Sequence, residues 1–223
     1  MDLRLAIFDV DGTLVDSQHL IVAAMQAACE GAGCAAPARQ ALLSGVGLSL
    51  PQLVAGLFPD QGAPVHRAIV EGYKHHYARL RQEGGEANVT PLYPGALEAL
   101  NALHAEDATL LGVATGKSRR GLDFILESFD LRRHFVTRQV ADDHPSKPHP
   151  SMILTALAET GVAPERAVMI GDTSFDMEMA RAAGVRAIGV SWGYHDARRL
   201  ERAGAEAVVD TFDALRNMLW SGN

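Results

Sequence analysis

Short apolar runs separated by helix-like stretches are the feature that most narrows what this chain can fold into. Runs suited to strands occupy Leu3 to Phe8, Thr109 to Ala114, a short stretch near His134 to Thr137, Ala167 to Ile170, Arg186 to Val190 and Ala207 to Val209. Helical spacing lies between them. Leu97, Leu100 and Leu103 recur after Tyr93-Pro94-Gly95, with Pro94 suited to a first helical turn, and Met177, Ala180 and Ala183 follow Thr173-Ser174 up to a stop at Gly184. This alternation predicts an α/β fold: a doubly wound, Rossmann-like core built on a parallel sheet.

From about Asp16 to Pro91 the alternation stops, because this stretch holds helical patterns and no convincing strand. Ser17 is placed to cap a helix through Ile21, Ala24, Met25 and Ala28 to Gly31-Ala32-Gly33, and Pro64 to open another through Ile69 and Tyr73 toward Leu80. About seventy-five residues exceed what one βαβ crossover needs. The expectation is therefore a helical insertion at 16–91 in a core made of 1–15 and 92–223, with Gly84-Gly85-Glu86, Pro91 and Pro94 as its exit hinge.

The 223 residues, 48% of them apolar, suffice for a real core. A formal charge of −7 without a basic stripe opposes a general nucleic-acid or anionic-membrane surface, so an anionic ligand must be captured locally. No run approaches the ~20 apolar residues of a membrane span, and the residues before Asp9 are too few for an export signal, which makes the cytoplasm the expected location. Cys29 and Cys34 are too few for a disulfide scaffold and are expected as reduced thiols. Nothing in the sequence speaks to oligomeric state.

Four polar positions follow or neighbour apolar runs. In Asp9-Val10-Asp11-Gly12-Thr13-Leu14, alternate side chains of an extended chain share a face, so Asp9 and Asp11 can address one pocket while Gly12 permits a sharp exit. One carboxylate can attack while the other moves a proton. Thr115-Gly116, ending a strand before a helix start, offers a hydroxyl and backbone amides to an anion. The adjoining Gly116-Lys117-Ser118 does not fit a nucleotide phosphate loop, because the preceding glycine, Gly112, is one residue too close. Lys147, held before Pro148, can project its ammonium toward a phosphoryl group, whereas the nearby His144 and His149 lack a ligand spacing. Asp172 ends the strand Val168-Met169-Ile170-Gly171 and Asp176 falls one turn into the next helix, carboxylates of the hard kind that suit Mg²⁺. Each position alone also fits a turn, a helix cap or a solvated loop. Asp9, Thr115 and Asp172 nevertheless all follow carboxyl ends of strands, where doubly wound sheets gather their ligands.

Together these strings resemble the haloacid dehalogenase-like hydrolase superfamily over nearly the whole chain. Asp9-Val10-Asp11-Gly12-Thr13 is similar to its first motif, Thr115 to its second, Lys147 to its third, and Gly171-Asp172 with Asp176 to its fourth; the layout is most similar to phosphoglycolate phosphatase-type members with an α-helical cap. The resemblance implies a Mg²⁺-dependent phosphatase acting on a small phosphorylated metabolite. Asp9 is then the nucleophile that forms an aspartyl-phosphate, and Asp11 the acid and base. Thr115, Gly116 and Lys147 bind the transferred group. Asp9, the Asp11 carbonyl and Asp172 hold the metal, and Asp176 supports Lys147 or metal-bound water. Asp11 argues against a dehalogenase, and Thr13 differs from the branched apolar residue of β-phosphoglucomutase-type mutases. That mutase activity and a non-catalytic phospho-ligand binding or receiver-like signalling role are the alternatives. Ser44-Gly45-Val46-Gly47-Leu48-Ser49 is the candidate specificity loop, and Trp192-Gly193-Tyr194 either lines the cleft rim or packs beneath a loop.

Overall fold

Strand β1, Arg4–Phe8, has its last four side chains buried and is paired on both edges. The computed structural model describes residues 2–83 and 90–220. On one side β1 runs parallel to β2, Thr109–Thr115, with Phe8 beside Val113; on the other it runs parallel to β4, Ala167–Gly171, with Phe8 beside Ile170. Strand β3, Phe135–Val140, lies outside β2, and β5, Arg186–Val190, then β6, Ala207–Val209, lie outside β4. The order β3-β2-β1-β4-β5-β6, parallel throughout, reverses direction at β1. Asp9 follows the carboxyl end of β1 at this reversal, the position where doubly wound sheets gather their ligands.

Alternation along β1 builds the two faces of the sheet. Ala6 and Phe8 join an apolar cluster with Leu100 of α5, Ala96–His104, Leu122 of α6, Arg119–Ser128, and Leu215 of α10, Phe212–Leu219. Leu5 and Ile7 face the other way, against Met152 of α7, Ser151–Thr160, Met177 of α8, Ser174–Ala182, and Leu200 of α9, Ala197–Ala203. The expected doubly wound α/β core is borne out.

Several element ends differ from expectation. Strand β3 begins after His134 and continues to Val140, because its polar Thr137 and Gln139 find partners in each other and in Glu159 of α7. Pro94 stays outside its helix, since Gly95 at φ 84° precedes the first helical residue, Ala96. Pro64 does lie in the first turn of its helix, as expected.

Between β1 and α5 stand α1, Gln18–Gly31, α2, Arg39–Leu43, α3, Leu50–Leu57, and α4, Ala63–Glu83. They share a separate apolar cluster of Ile21, Met25, Leu42, Leu53, Val54 and Ile69. Helices α1 and α4 cross closely: a Cβ on Gly72 would lie 3.3 Å from Ala28. The chain enters and leaves this segment side by side. Val15 bridges Leu92, Asp16 donates its amide to Pro91 at 2.9 Å, and Tyr93 donates to Leu14 at 2.9 Å. The expected hinge glycines at 84–86 lie outside the described residues. Cys29 and Cys34 are free thiols. Among the described residues no helix is long and apolar enough to cross a membrane.

Candidate active site

Asp9 continues the line of β1, its amide still bonded to Ile170 of β4 at 2.9 Å, and its carboxylate is buried at the reversal point of the sheet. Lys147 reaches it from the loop between β3 and α7: Nζ donates to Asp9 Oδ1 at 2.8 Å and to Asp176 Oδ1 at 2.6 Å, with all three side chains essentially inaccessible. The Lys147-Pro148 peptide is cis. Asp176 Oδ2 accepts from the Thr173 amide and hydroxyl at the start of α8. Both oxygens of Asp176 are thereby engaged, which makes it an anchor for Lys147.

Asp172 follows β4, next to β1. Its Oδ1 accepts from the Thr13 hydroxyl at 2.9 Å and its Oδ2 from the Tyr194 amide at 2.8 Å. Gly12, at φ 85°, allows this approach: a Cβ there would collide with the Asp172 carboxylate.

Three buried carboxylates, Asp9, Asp172 and Asp176, bring oxygens within 4.8 Å of one another. Burial raises the Asp9 pKa from 3.8 to about 6; Lys147 pulls against the rise, while Asp176 and Asp11 add to it. Burial, then Asp9 and Asp176, lift Asp172 well above the carboxylate range, only partly offset by the Tyr194 amide and the Thr13 hydroxyl. Burial works against the charge of Lys147, yet Asp176 and Asp9 hold its pKa above the usual lysine value. Asp9 Oδ2 is buried without a hydrogen-bond partner. An orphaned carboxylate oxygen is costly unless a cation or electrophile uses it. This donor set, hard oxygens with excess negative charge, fits a divalent cation of the Mg²⁺ kind at Asp9 and Asp172.

Asp11 lies apart from that cluster. Its Oδ1 accepts from the Ser17 hydroxyl at 2.6 Å and pairs with Lys117 Nζ at 2.8 Å. Ser17 stands at the start of α1, yet its hydroxyl makes no capping bond. The expected cap is corrected: the hydroxyl is drawn to the carboxylate and also meets the Tyr194 hydroxyl at 3.1 Å. Lys117 contacts the Tyr77 hydroxyl of α4 at 3.5 Å, and its ammonium lies 5.3 Å from the centre of that ring. Burial disfavours the Lys117 charge, but Asp11 and Tyr77 outweigh it and raise the pKa.

Thr115 ends β2 beside β1 and is buried, its hydroxyl accepting from the Lys117 amide at 3.2 Å. Helix α6 is capped instead by Ser118, which accepts from Gly121. Gly116 packs beneath Gly47 and Leu48. His144 and His149 join no metal-type cluster among the described residues; His144 bonds Ser151 and Gln139, each at 2.8 Å.

The structure therefore brings Asp9, Lys147, Asp172 and Asp176 into direct contact or near contact and places Asp11, Thr115 and Gly116 at the same end of the sheet. Lys117 and Ser17 join them without having been singled out for the site, and Tyr194, named as a candidate for the cleft rim, meets Ser17 and Asp172 there. Lys117 had a faint signal, a lysine two residues after Thr115. Trp192 does pack, its ring 4.8 Å from Phe212, while its Nε1 donates to the Thr13 carbonyl.

The haloacid dehalogenase-like hydrolase family matches residues 6–190. A probable phosphatase, IndB, of Dickeya dadantii is 34% identical over 214 residues, covering 95% of this chain and 91% of that protein. A phosphoglycolate phosphatase of Chromobacterium violaceum is 32% identical over 223 residues, covering 99% and 98%. A crystal structure of a hydrolase from Pseudomonas syringae superposes with a TM-score of 0.84 at 28% identity, over 97% of each chain. With the parallel sheet, its reversal at Asp9 and a match spanning most of the sequence, the chain belongs to the haloacid dehalogenase-like hydrolases.

Proposed function

We propose that the protein is a Mg²⁺-dependent phosphatase that hydrolyses a small phosphate monoester of the phosphoglycolate type through an aspartyl-phosphate, in the cytoplasm. The observation that carries this reading is the buried, unpartnered Oδ2 of Asp9, set beside a buried ammonium and a second carboxylate. The names of the relatives, phosphatases and phosphoglycolate phosphatases, support it.

In this reading an Asp9 oxygen attacks phosphorus, the ester P–O bond breaks, and the leaving oxygen takes a proton from Asp11. Water then attacks the phosphorus of the aspartyl-phosphate, giving its proton to Asp11 and releasing phosphate and Asp9. Lys147, pinned by Asp176, offsets charge on the transferred group, and the Thr115 hydroxyl and Gly116 amide complete its cradle. Asp9, Asp172 and the Asp11 carbonyl would hold Mg²⁺, which when bound supplies charge neutralisation between the anionic nucleophile and the anionic ester. The residues from 16 to 91 act as the cap over the site.

The test is phosphate release by the purified protein with Mg²⁺ from phosphoglycolate, sugar phosphates, nucleotides and pyrophosphate. Release is expected from at least one small ester, and Asp9→Asn retains the fold and loses turnover by at least a thousandfold. Full turnover in that variant overturns the nucleophile assignment. Isomerisation of a sugar phosphate without phosphate release would identify a mutase instead.

A further inference from the structure

Loop 44–49 touches three of the site's loops at once, and it does so through its backbone. The Ser44 carbonyl meets His195 Nε2 at 2.9 Å. On its other side the His195 ring accepts the Ser174 amide at Nδ1, at 2.8 Å. A nitrogen that accepts carries no proton, so the hydrogen of the neutral ring is on Nε2 and is donated to Ser44. His195 is buried, with Phe175 set edge-on 5.6 Å away. One ring thus joins loop 44–49 to the turn between Asp172 and Asp176.

At the far end of the loop, the Ser49 amide donates to Ser146 Oγ at 2.7 Å, and Ser146 immediately precedes Lys147. Between these two points the loop lies against the turn after Thr115: a Cβ on Gly116 would sit 2.5 Å from the Gly47 carbonyl oxygen and 2.8 Å from that of Leu48. The loop's own side chains face elsewhere. Val46 is buried in the apolar cluster of α1 to α4, and Leu48 packs against the same cluster. The loop therefore belongs to the helical segment by its side chains and to the catalytic loops by its main chain.

We infer that His195 and Ser146 are positioning residues that latch the helical segment onto the phosphate-binding end of the core. They register the seating of loop 44–49 and transmit it to the turns carrying Asp172, Asp176 and Lys147. Because both latch points read backbone groups, they respond to whether the loop is seated and are indifferent to its side chains. His195 sets one end and Ser146 the other, so one docking step depends on both.

The experiment is amide hydrogen exchange of the full-length protein, without ligand, read on peptides covering 44–49, with steady-state kinetics alongside. His195→Phe keeps a ring and removes both hydrogen bonds; it is expected to raise exchange in 44–49 about tenfold while leaving β1 and β4 protected. Ser146→Ala is expected to do the same at residues 45–47, which Ser146 does not touch. His195→Gln, which offers one acceptor and one donor, is expected to recover most of the protection. The double variant should exchange faster than either single variant, by roughly the product of the two factors, since both contacts stabilise one docked state. Unchanged exchange in His195→Phe, or an effect of Ser146→Ala confined to Ser49, overturns the latch. The kinetic arm rests on the phosphatase reading: for an ester that the wild type hydrolyses, kcat falls about tenfold in His195→Phe with KM changed less than threefold. A wild type without turnover would defeat that reading and leave the exchange result standing.

Discussion

Asp9 shows how a reactive side chain can be held at the expense of stability. Its folded-state pKa of about 6 lies above the ordinary 3.8, so the folded protein binds its proton more readily than the unfolded chain does. At neutral pH the charged form destabilises the fold, and the penalty fades as pH falls through about 6 toward 4. Asp9→Asn, permanently neutral, is therefore expected to be more stable than the wild type in metal-free buffer at pH 7. The gain is on the order of 2 kcal/mol, or about 4–8 °C in Tm. Thermal melts at pH 7 and pH 4 check the sign: the gap must close in acid, and a gap that widens would refute burial as the cause. At this scale Asp9, Lys147, Asp172 and Asp176 were legible because each occupies a string beside an apolar run. The link between Ser17 and Tyr194 was not, because it spans 177 positions and exists only through folding. Lys117 escaped for a related reason: its partners, Asp11 and Tyr77, come from two different parts of the fold.

Among the elements, the close crossing of α1 and α4 is the joint on which the helical segment depends. A Cβ at Gly72 already comes within 3.3 Å of Ala28, so Gly72→Val, with two further methyl groups, must push the helices apart. The expected cost is roughly 1–3 kcal/mol, confined to this segment. Hydrogen exchange should rise across α1 and α4 while the six strands keep their protection, and equal protection everywhere would show that the crossing tolerates bulk. Strands β5 and β6 were readable to the residue, since apolar side chains dominate them. The end of strand β3 is less legible, because Arg138 and Gln139 are polar and only folding brings Glu159 of α7 to Thr137 and Gln139. Helix α4 was legible from Pro64 through Ile69 and Tyr73 toward Leu80, although only Ile69 and Val70 are buried along its 21 residues.

For the molecule as a whole, the two carboxylates that fit a metal follow adjacent central strands, Asp9 after β1 and Asp172 after β4. A cation between them stabilises only the folded chain. At a concentration a hundred times Kd the gain is about 2.7 kcal/mol, so Mg²⁺ should raise Tm by about 5–10 °C, and a chelator should reverse this and abolish phosphate release. Asp172→Asn should melt at one temperature with or without Mg²⁺; a wild-type melt indifferent to Mg²⁺ would remove the cation from the account. The doubly wound architecture was the most legible property, because it rests on the alternation of whole segments. The adjacency of Val15 and Leu92 has a different consequence. Where the two ends of an inserted stretch leave the scaffold as neighbours, the stretch is a cassette: it can be lengthened, shortened or exchanged for foreign helices without asking any strand to change partner. Selectivity can then diversify by graft, as long as the graft keeps a loop whose main chain seats on His195 and Ser146.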